Sequence, residues 1–222
     1  MRFLDAEFVK GFMRMATDGW NMGWHERNGG NLSYRVKPIE VEEVKEELSP
    51  REWREIGTEV PHLAREYFLV TGSGKFFRNV ADRPEDSICL IELDEKGEKY
   101  RILWGLVNGG RPTSELPSHL MSHEVKFLKN PDYRVIYHTH TTNIIALTFV
   151  LPLDEKVFTR ELWEMATECP VVFPDGVGVV PWMVPGGREI GVETSELMKS
   201  YDIVIWAHPV SYTHLTLPTN RE

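Results

Sequence analysis

Two histidines one residue apart, His138 and His140 in the run YHTHTTN (residues 137–143), have the types and spacing for metal chemistry. Side chains two apart on a strand point to the same face, so both imidazoles can reach one divalent cation. Neutral imidazole suits Zn2+, and a catalytic zinc takes three protein ligands while keeping one position open. Taken alone, such a pair is more often two partly exposed polar residues. A second pair, His119 and His123 in HLMSH, lies four apart on one helical face with Glu115 four residues upstream. That geometry is also competent to hold a metal. Its plainer reading is a solvated helix flank.

Three loops could hold an anion. In GGRPTSELP, Pro117 is tolerated only in the first turn of a helix, so Thr113, Ser114 and Glu115 must sit at or just before its N-terminus. Two hydroxyls and the unpaired N–H groups of a helix start attract phosphate, and the helix dipole adds to this. A Thr/Ser followed by Glu is also an ordinary cap. Likewise VTGSGK (residues 70–75) and NGGN (residues 28–31) read separately as turns. Three such loops together with paired histidines favour a phosphate site beside a metal.

The elements that must position these residues follow from periodicity. Apolar residues at 4, 8, 12 and 15 predict an N-terminal amphipathic helix, and Leu32, Tyr34 and Val36 a strand after NGGN. Residues 41–63, charged and interrupted by Pro50 and Pro61, read as a surface helix and connector. YFLVT is an apolar strand ending in a glycine turn, and residues 88–105 have the form of a hairpin around EKGE. The segment after GGRPTSELP predicts a helix with Met121, Val125 and Leu128 as its buried stripe. RVIYHTH is a short strand followed by a helix that Thr141, Thr142 or Asn143 can cap; residues 188–201 predict another helix and IVIWA a buried strand. Interleaved helices and strands with a hairpin among them imply a layered α/β domain around a mixed or mainly antiparallel sheet.

Length and composition set the outer limits. The 222 residues, 41% hydrophobic, allow one sizeable core. A formal charge of −9 without any Lys/Arg block argues against nucleic acid or an anionic membrane as partner. Cys89 and Cys169, each in an apolar context, read as reduced, buried thiols of a cytoplasmic protein, with a single disulfide the alternative. The N-terminus does not fit a signal peptide, and no run approaches the roughly 20 apolar residues of a membrane span.

The segments ERNGGNLS, FLVTGSGKFFRNV, PTSELPSH, RVIYHTHTTNIIALT and, most specifically, TECPVVFPDGVGVVPWMVPG resemble, in this order, the class II aldolase and adducin family. The resemblance runs from about Trp20 to Ala207. It implies a three-layer α/β domain with a central, mainly antiparallel sheet flanked by helices, and a homotetramer with sites near its subunit interfaces. It implies a lyase that splits a phosphorylated ketose with a catalytic Zn2+ held by three histidines. Two of these match His138 and His140; the catalytic glutamate matches Glu115, and Glu168 matches a second acidic residue near the site. Phosphate-binding positions match Asn28, Gly30, Asn31, Ser73, Gly74, Thr113 and Ser114. His119 and His123 are left without a role. Other activities carried by the same scaffold are aldolases for other sugar phosphates, epimerases, dehydratases and non-catalytic adducin-like binding proteins.

The resemblance places the third histidine three positions after Trp206, where this chain has Pro209, which cannot ligate zinc through its side chain. His208 is adjacent, but a one-residue offset on a strand faces the other way. Residues 1–208 are therefore expected to form the family's domain, incomplete at its C-terminus. Residues 209–222 look like a translated sequencing adapter, foreign to the family. The expectation is a natural gene with histidine at 209 and a longer C-terminal part.

Overall fold

The computed structural model describes residues 1–207 and the backbone of a short strand at 213–215. His208, Pro209 and, apart from that strand, the rest of the C-terminal segment lie outside the described residues, so the expectations about them are not addressed by the fold. After helix α1 (Glu7–Asn21) come strand β1 (Asn31–Val36), α2 (Pro38–Val44), the two-residue β2 (Arg54–Glu55) and β3 (Tyr67–Thr71). Next are the single turn α3 (Pro84–Ser87), β4 (Ile88–Leu93), β5 (Lys99–Gly105), α4 (Leu116–Lys129) and β6 (Val135–Thr139). The chain continues through α5 (Thr142–Val150), α6 (Glu155–Met165), α7 (Cys169–Val172), β7 (Gly178–Val180), α8 (Arg188–Met198), β8 (Ile203–Trp206) and β9 (Thr213–Leu215).

The strands form one sheet in the order β2-β5-β4-β3-β1-β6-β9-β8-β7. Every pairing is antiparallel except β7 with β8. Helices cover both faces, which gives the layered α/β architecture expected from the sequence. The expected hairpin is β4–β5, with a register shift between Leu90 and Ile91.

Alternation along the strands sorts the core into layers. Leu32, Val36, Leu69, Leu90 and Tyr137 share one cluster with Phe8, Val9, Phe12 and Ala16 of α1, while Val41 and Val44 of α2 close its end. On the opposite face Phe68, Val70, Cys89 and Ile91 meet Leu116 and Leu120 of α4. Val204 and Trp206 of β8 pack with α8, and Ile205 packs with α6 on the other side.

Three expectations need correction. Residues 41–63 do hold helix and then connector, but α2 already begins at Pro38, ends at Val44 and buries Val41 and Val44, and the irregular stretch with β2 makes up the rest. The buried stripe of α4 is not Met121, Val125 and Leu128. Leu128 is 59% exposed and the other two are half-buried, whereas His119, Ser122, His123 and Lys126 are buried. The sheet face beneath α4 carries polar side chains on β1, so the helix turns a matching polar stripe towards it. Finally, Cys89 is buried but Cys169 is half-buried, and both are free thiols. Burial pushes the Cys89 thiol far above its usual range.

Candidate active site

The site begins with strand register. Asn31, the first residue of β1, pairs directly with His138 of β6, and Ser33 pairs with Ile136. Asn31, Ser33 and His138 therefore share the face that α4 covers. Glu115 is the N-cap of α4, and Pro117 lies in its first turn as expected. Glu115, His119 and His123 then follow at i, i+4 and i+8, one stripe along the helix.

Two glycine-rich loops close the top. Gly30 has a positive φ of 77°, and a Cβ there would stand 2.6 Å from the His138 carbonyl oxygen and from the His25 ring. Only glycine lets this loop lie flush against the histidines. The 70–75 turn is bound to the segment before α4 by Ser73 N–H donating to the Arg111 carbonyl (2.8 Å) and Thr113 N–H donating to the Thr71 carbonyl (2.9 Å). Thr113 Oγ1 in turn accepts from the Glu115 N–H at 3.2 Å. The loops are thus held to each other and to the start of α4.

Between them lies a cavity of about 300 Å³. Nine of the residues singled out in the sequence line it: Asn28, Gly30, Asn31, Ser73, Gly74, Thr113, Ser114, Glu115 and His140. His138 is fully buried just behind Glu115, its Nδ1–H donating to Glu115 Oε2 at 2.7 Å. Asn31 Nδ2 donates to the same oxygen at 3.0 Å. Glu168, at the start of α7, is exposed and does not line the cavity of the single chain.

The donor set fits a metal. His138 and His140 have ring centroids 5.2 Å apart, and potential ligand atoms of Glu115, His119 and His138 lie within 4.8 Å of one another. Burial, with His140 and His25 adding to it, keeps the pKa of His138 well below the usual imidazole range, so it is held neutral, the form that binds metal. Each histidine of the pair is oriented through Nδ1 by a carboxylate: His138 by Glu115, and His140 by Glu26 at 2.6 Å. This is the arrangement that fixes ring and tautomer in metal sites. With Nδ1 engaged in this way, Nε2 is the ring nitrogen that could take a metal. The indole of Trp206 lies 5.5 Å from the His138 ring, so β8 ends beside the pair.

Sequence reading missed Glu26 and His25, and its plainer reading placed His119 and His123 on a solvated flank. Glu26 stands inside the quoted ERNGGNLS segment, but an exposed acid carries no distinguishing mark. His25 stacks on Phe77 at 3.6 Å, bonds Tyr137 Oη at 2.7 Å and reaches the Gly29 carbonyl at 3.0 Å, which props the NGGN loop from below. His119 and His123 are not a solvated flank. They are 0% and 1% exposed, with Ser33 Oγ 2.6 Å from His119 Nδ1 and 2.8 Å from His123 Nε2. The signal for them was present as the stripe Glu115, His119, His123.

The structure thus brings a buried, carboxylate-oriented histidine pair beside a cavity lined by glycine-rich loops. The sequence matches the family described as "Class II Aldolase and Adducin N-terminal domain" over residues 10–209. The chain belongs to this family, and it is an aldolase, a carbon–carbon lyase. It is 54% identical to a rhamnulose-1-phosphate aldolase of Mannheimia succiniciproducens, covering 96% of this chain and 80% of that protein. It is 52% identical to the enzyme of the same name from Pectobacterium atrosepticum, covering 91% and 75%. Among solved structures it resembles a sugar-phosphate aldolase from Thermotoga maritima, with a TM-score of 0.78 and 30% identity over 94% of this chain and 84% of that one. No helix among the described residues is long and apolar enough to cross a membrane.

Proposed function

We propose that this protein reversibly cleaves L-rhamnulose 1-phosphate into dihydroxyacetone phosphate and L-lactaldehyde, with Zn2+ at His138 and His140. The observation that carries the reading is the meeting of Glu115 and the histidine pair with three donor-rich loops around one cavity. Half or more of the residues are shared with rhamnulose-1-phosphate aldolases, which favours this ketose over other sugar phosphates. The protein acts as a cytoplasmic homotetramer.

Breaking a carbon–carbon bond next to a ketone leaves a carbanion, and a bound zinc ion supplies the Lewis acidity that makes it tolerable as an enediolate. The chain's own residues do the remainder. Asn28, Gly30, Asn31, Ser73, Gly74, Thr113 and Ser114 hold the 1-phosphate through N–H, amide and hydroxyl donors at the start of α4, so the dipole of that helix aids them. This tether fixes the carbon chain over the histidines. Glu115 returns a proton to the carbon alpha to the carbonyl in cleavage and removes it in the aldol direction. Glu168 assists from a second acidic position.

The test uses the purified Pro209→His protein loaded with zinc, dihydroxyacetone phosphate release being followed by a coupled reduction. L-Rhamnulose 1-phosphate is to be turned over faster than L-fuculose 1-phosphate or a pentulose phosphate; the reverse order refutes the substrate assignment. Because Pro209 stands where the family resemblance requires the third histidine, the unaltered chain is expected to hold zinc weakly and to be nearly inactive, and Pro209→Gly should not help. Pro209→His should tighten zinc binding and raise turnover, whereas brisk zinc-dependent cleavage by the unaltered chain overturns this part. A protein that binds no zinc even with histidine at 209 belongs to the non-catalytic, adducin-like reading.

A further inference from the structure

We propose that His119 is a positioning residue for Glu115, acting at the centre of a buried one-way chain of hydrogen bonds that runs His123 → Ser33 → His119 → Asn31 → Glu115. The inference rests on the role of Glu115 under the proposed function. It gives a task to His119 and His123, which the family resemblance leaves without one, and to Ser33.

Donors and acceptors fix the direction of the chain. Glu115 Oε2 can only accept from Asn31, so the amide presents Nδ2 to it, at 3.0 Å, and turns Oδ1 towards α4. Asn31 Oδ1 meets His119 Nε2, which must then carry the proton. In the neutral ring Nδ1 is left as acceptor, and Ser33 Oγ–H donates to it at 2.6 Å. The Ser33 oxygen in turn accepts from His123 Nε2–H at 2.8 Å. Every member is buried: Asn31 6%, Ser33 0%, Glu115 4%, His119 0% and His123 1% exposed. Bonds aligned in one sense polarise one another, and a half-satisfied buried network is costly, so the chain has one low-energy arrangement.

Two consequences follow. With its Nε2 proton given to Asn31, His119 does not serve as a metal ligand through that nitrogen despite lying near Glu115 and His138. Its effect reaches the reacting carbon through the carboxylate: without the chain, the Asn31 amide can rotate and Glu115 Oε2 loses the donor that Asn31 supplies. Misplacement of a catalytic group by about 1 Å can cost on the order of 100-fold.

The experiment, made in the Pro209→His protein, compares His119→Leu, which keeps bulk without polarity, with His119→Gln, whose amide offers both donor and acceptor groups. Crystal structures are read for the Asn31–Glu115 contact, with zinc content, KM and kcat alongside. His119→Leu is expected to break that contact and lower kcat by about 30- to 100-fold, with zinc content kept and KM changed by less than about threefold. His119→Gln should retain the contact and restore most of kcat. Ser33→Ala, which disturbs folding least, should lower kcat by about three- to tenfold at unchanged zinc content. An intact Asn31–Glu115 contact in His119→Leu, a Gln variant no better than Leu, or wild-type kcat in Ser33→Ala overturns the proposal. Should no form of the chain cleave a sugar phosphate, the functional reading fails, and the structural comparison still decides the positioning role.

Discussion

On β1, Leu32, Tyr34 and Val36 face α1 and join an apolar cluster, while Asn31, Ser33 and Arg35 face α4 and each bonds a group on another element. Both sides are excluded from water to a similar degree, since Ser33 is as fully buried as Leu32. Burying apolar groups stabilises through the area removed from water, roughly 25 cal/mol per Å2. Burying polar groups costs free energy unless each finds its partner. The apolar side therefore mainly contributes stability and tolerates approximate fit. The polar side contributes little stability but dictates geometry, and it is where the proposed chemistry lies.

This contrast can be tested from both sides. Glu115→Gln, on the polar side, should lower kcat by on the order of 1,000-fold while shifting unfolding by about 1 kcal/mol or less, seen by steady-state kinetics and urea titration of one preparation. Leu69→Ala, on the apolar side, should reverse the pattern: about 3 kcal/mol less stability, with kcat per folded molecule unchanged. If the two variants damage stability equally, the division of labour is wrong.

A smaller effect concerns His25, a polar exception on the apolar side. Burial lowers its pKa from 6.5 to about 4. The unfolded chain then binds a proton that the folded one refuses, so the stabilising contribution is in place above pH 6.5 and is lost as pH falls towards 4. His25→Gln, which can still accept from Tyr137, should flatten the fall in urea stability between those pH values by about 2 kcal/mol. An unaltered slope would assign the acid sensitivity elsewhere, His138 being another histidine whose pKa burial depresses.

Much of this arrangement was legible in the residues. Parity placed His138 and His140 together, Pro117 fixed the start of α4, and the glycine loops lay where the cavity formed. What could not be read was which polar faces are buried. Strict alternation in NLSYRV reads as a strand half in water, and a helix stripe of Glu, His and His reads as solvated. Each is wrong for the same reason: the two polar faces satisfy one another, and hydrophobic periodicity scores elements one at a time. Glu168 marks a different limit, because its exposed place on one chain shows no contact with the cavity.

The strand register has one more consequence. Asn31 and His138 sit directly across from each other where β1 meets β6, some hundred positions apart along the chain. The catalytic arrangement therefore comes into being only when two distant segments zip together, and it vanishes when they part. A fragment or early folding intermediate without that pairing therefore lacks the proposed site.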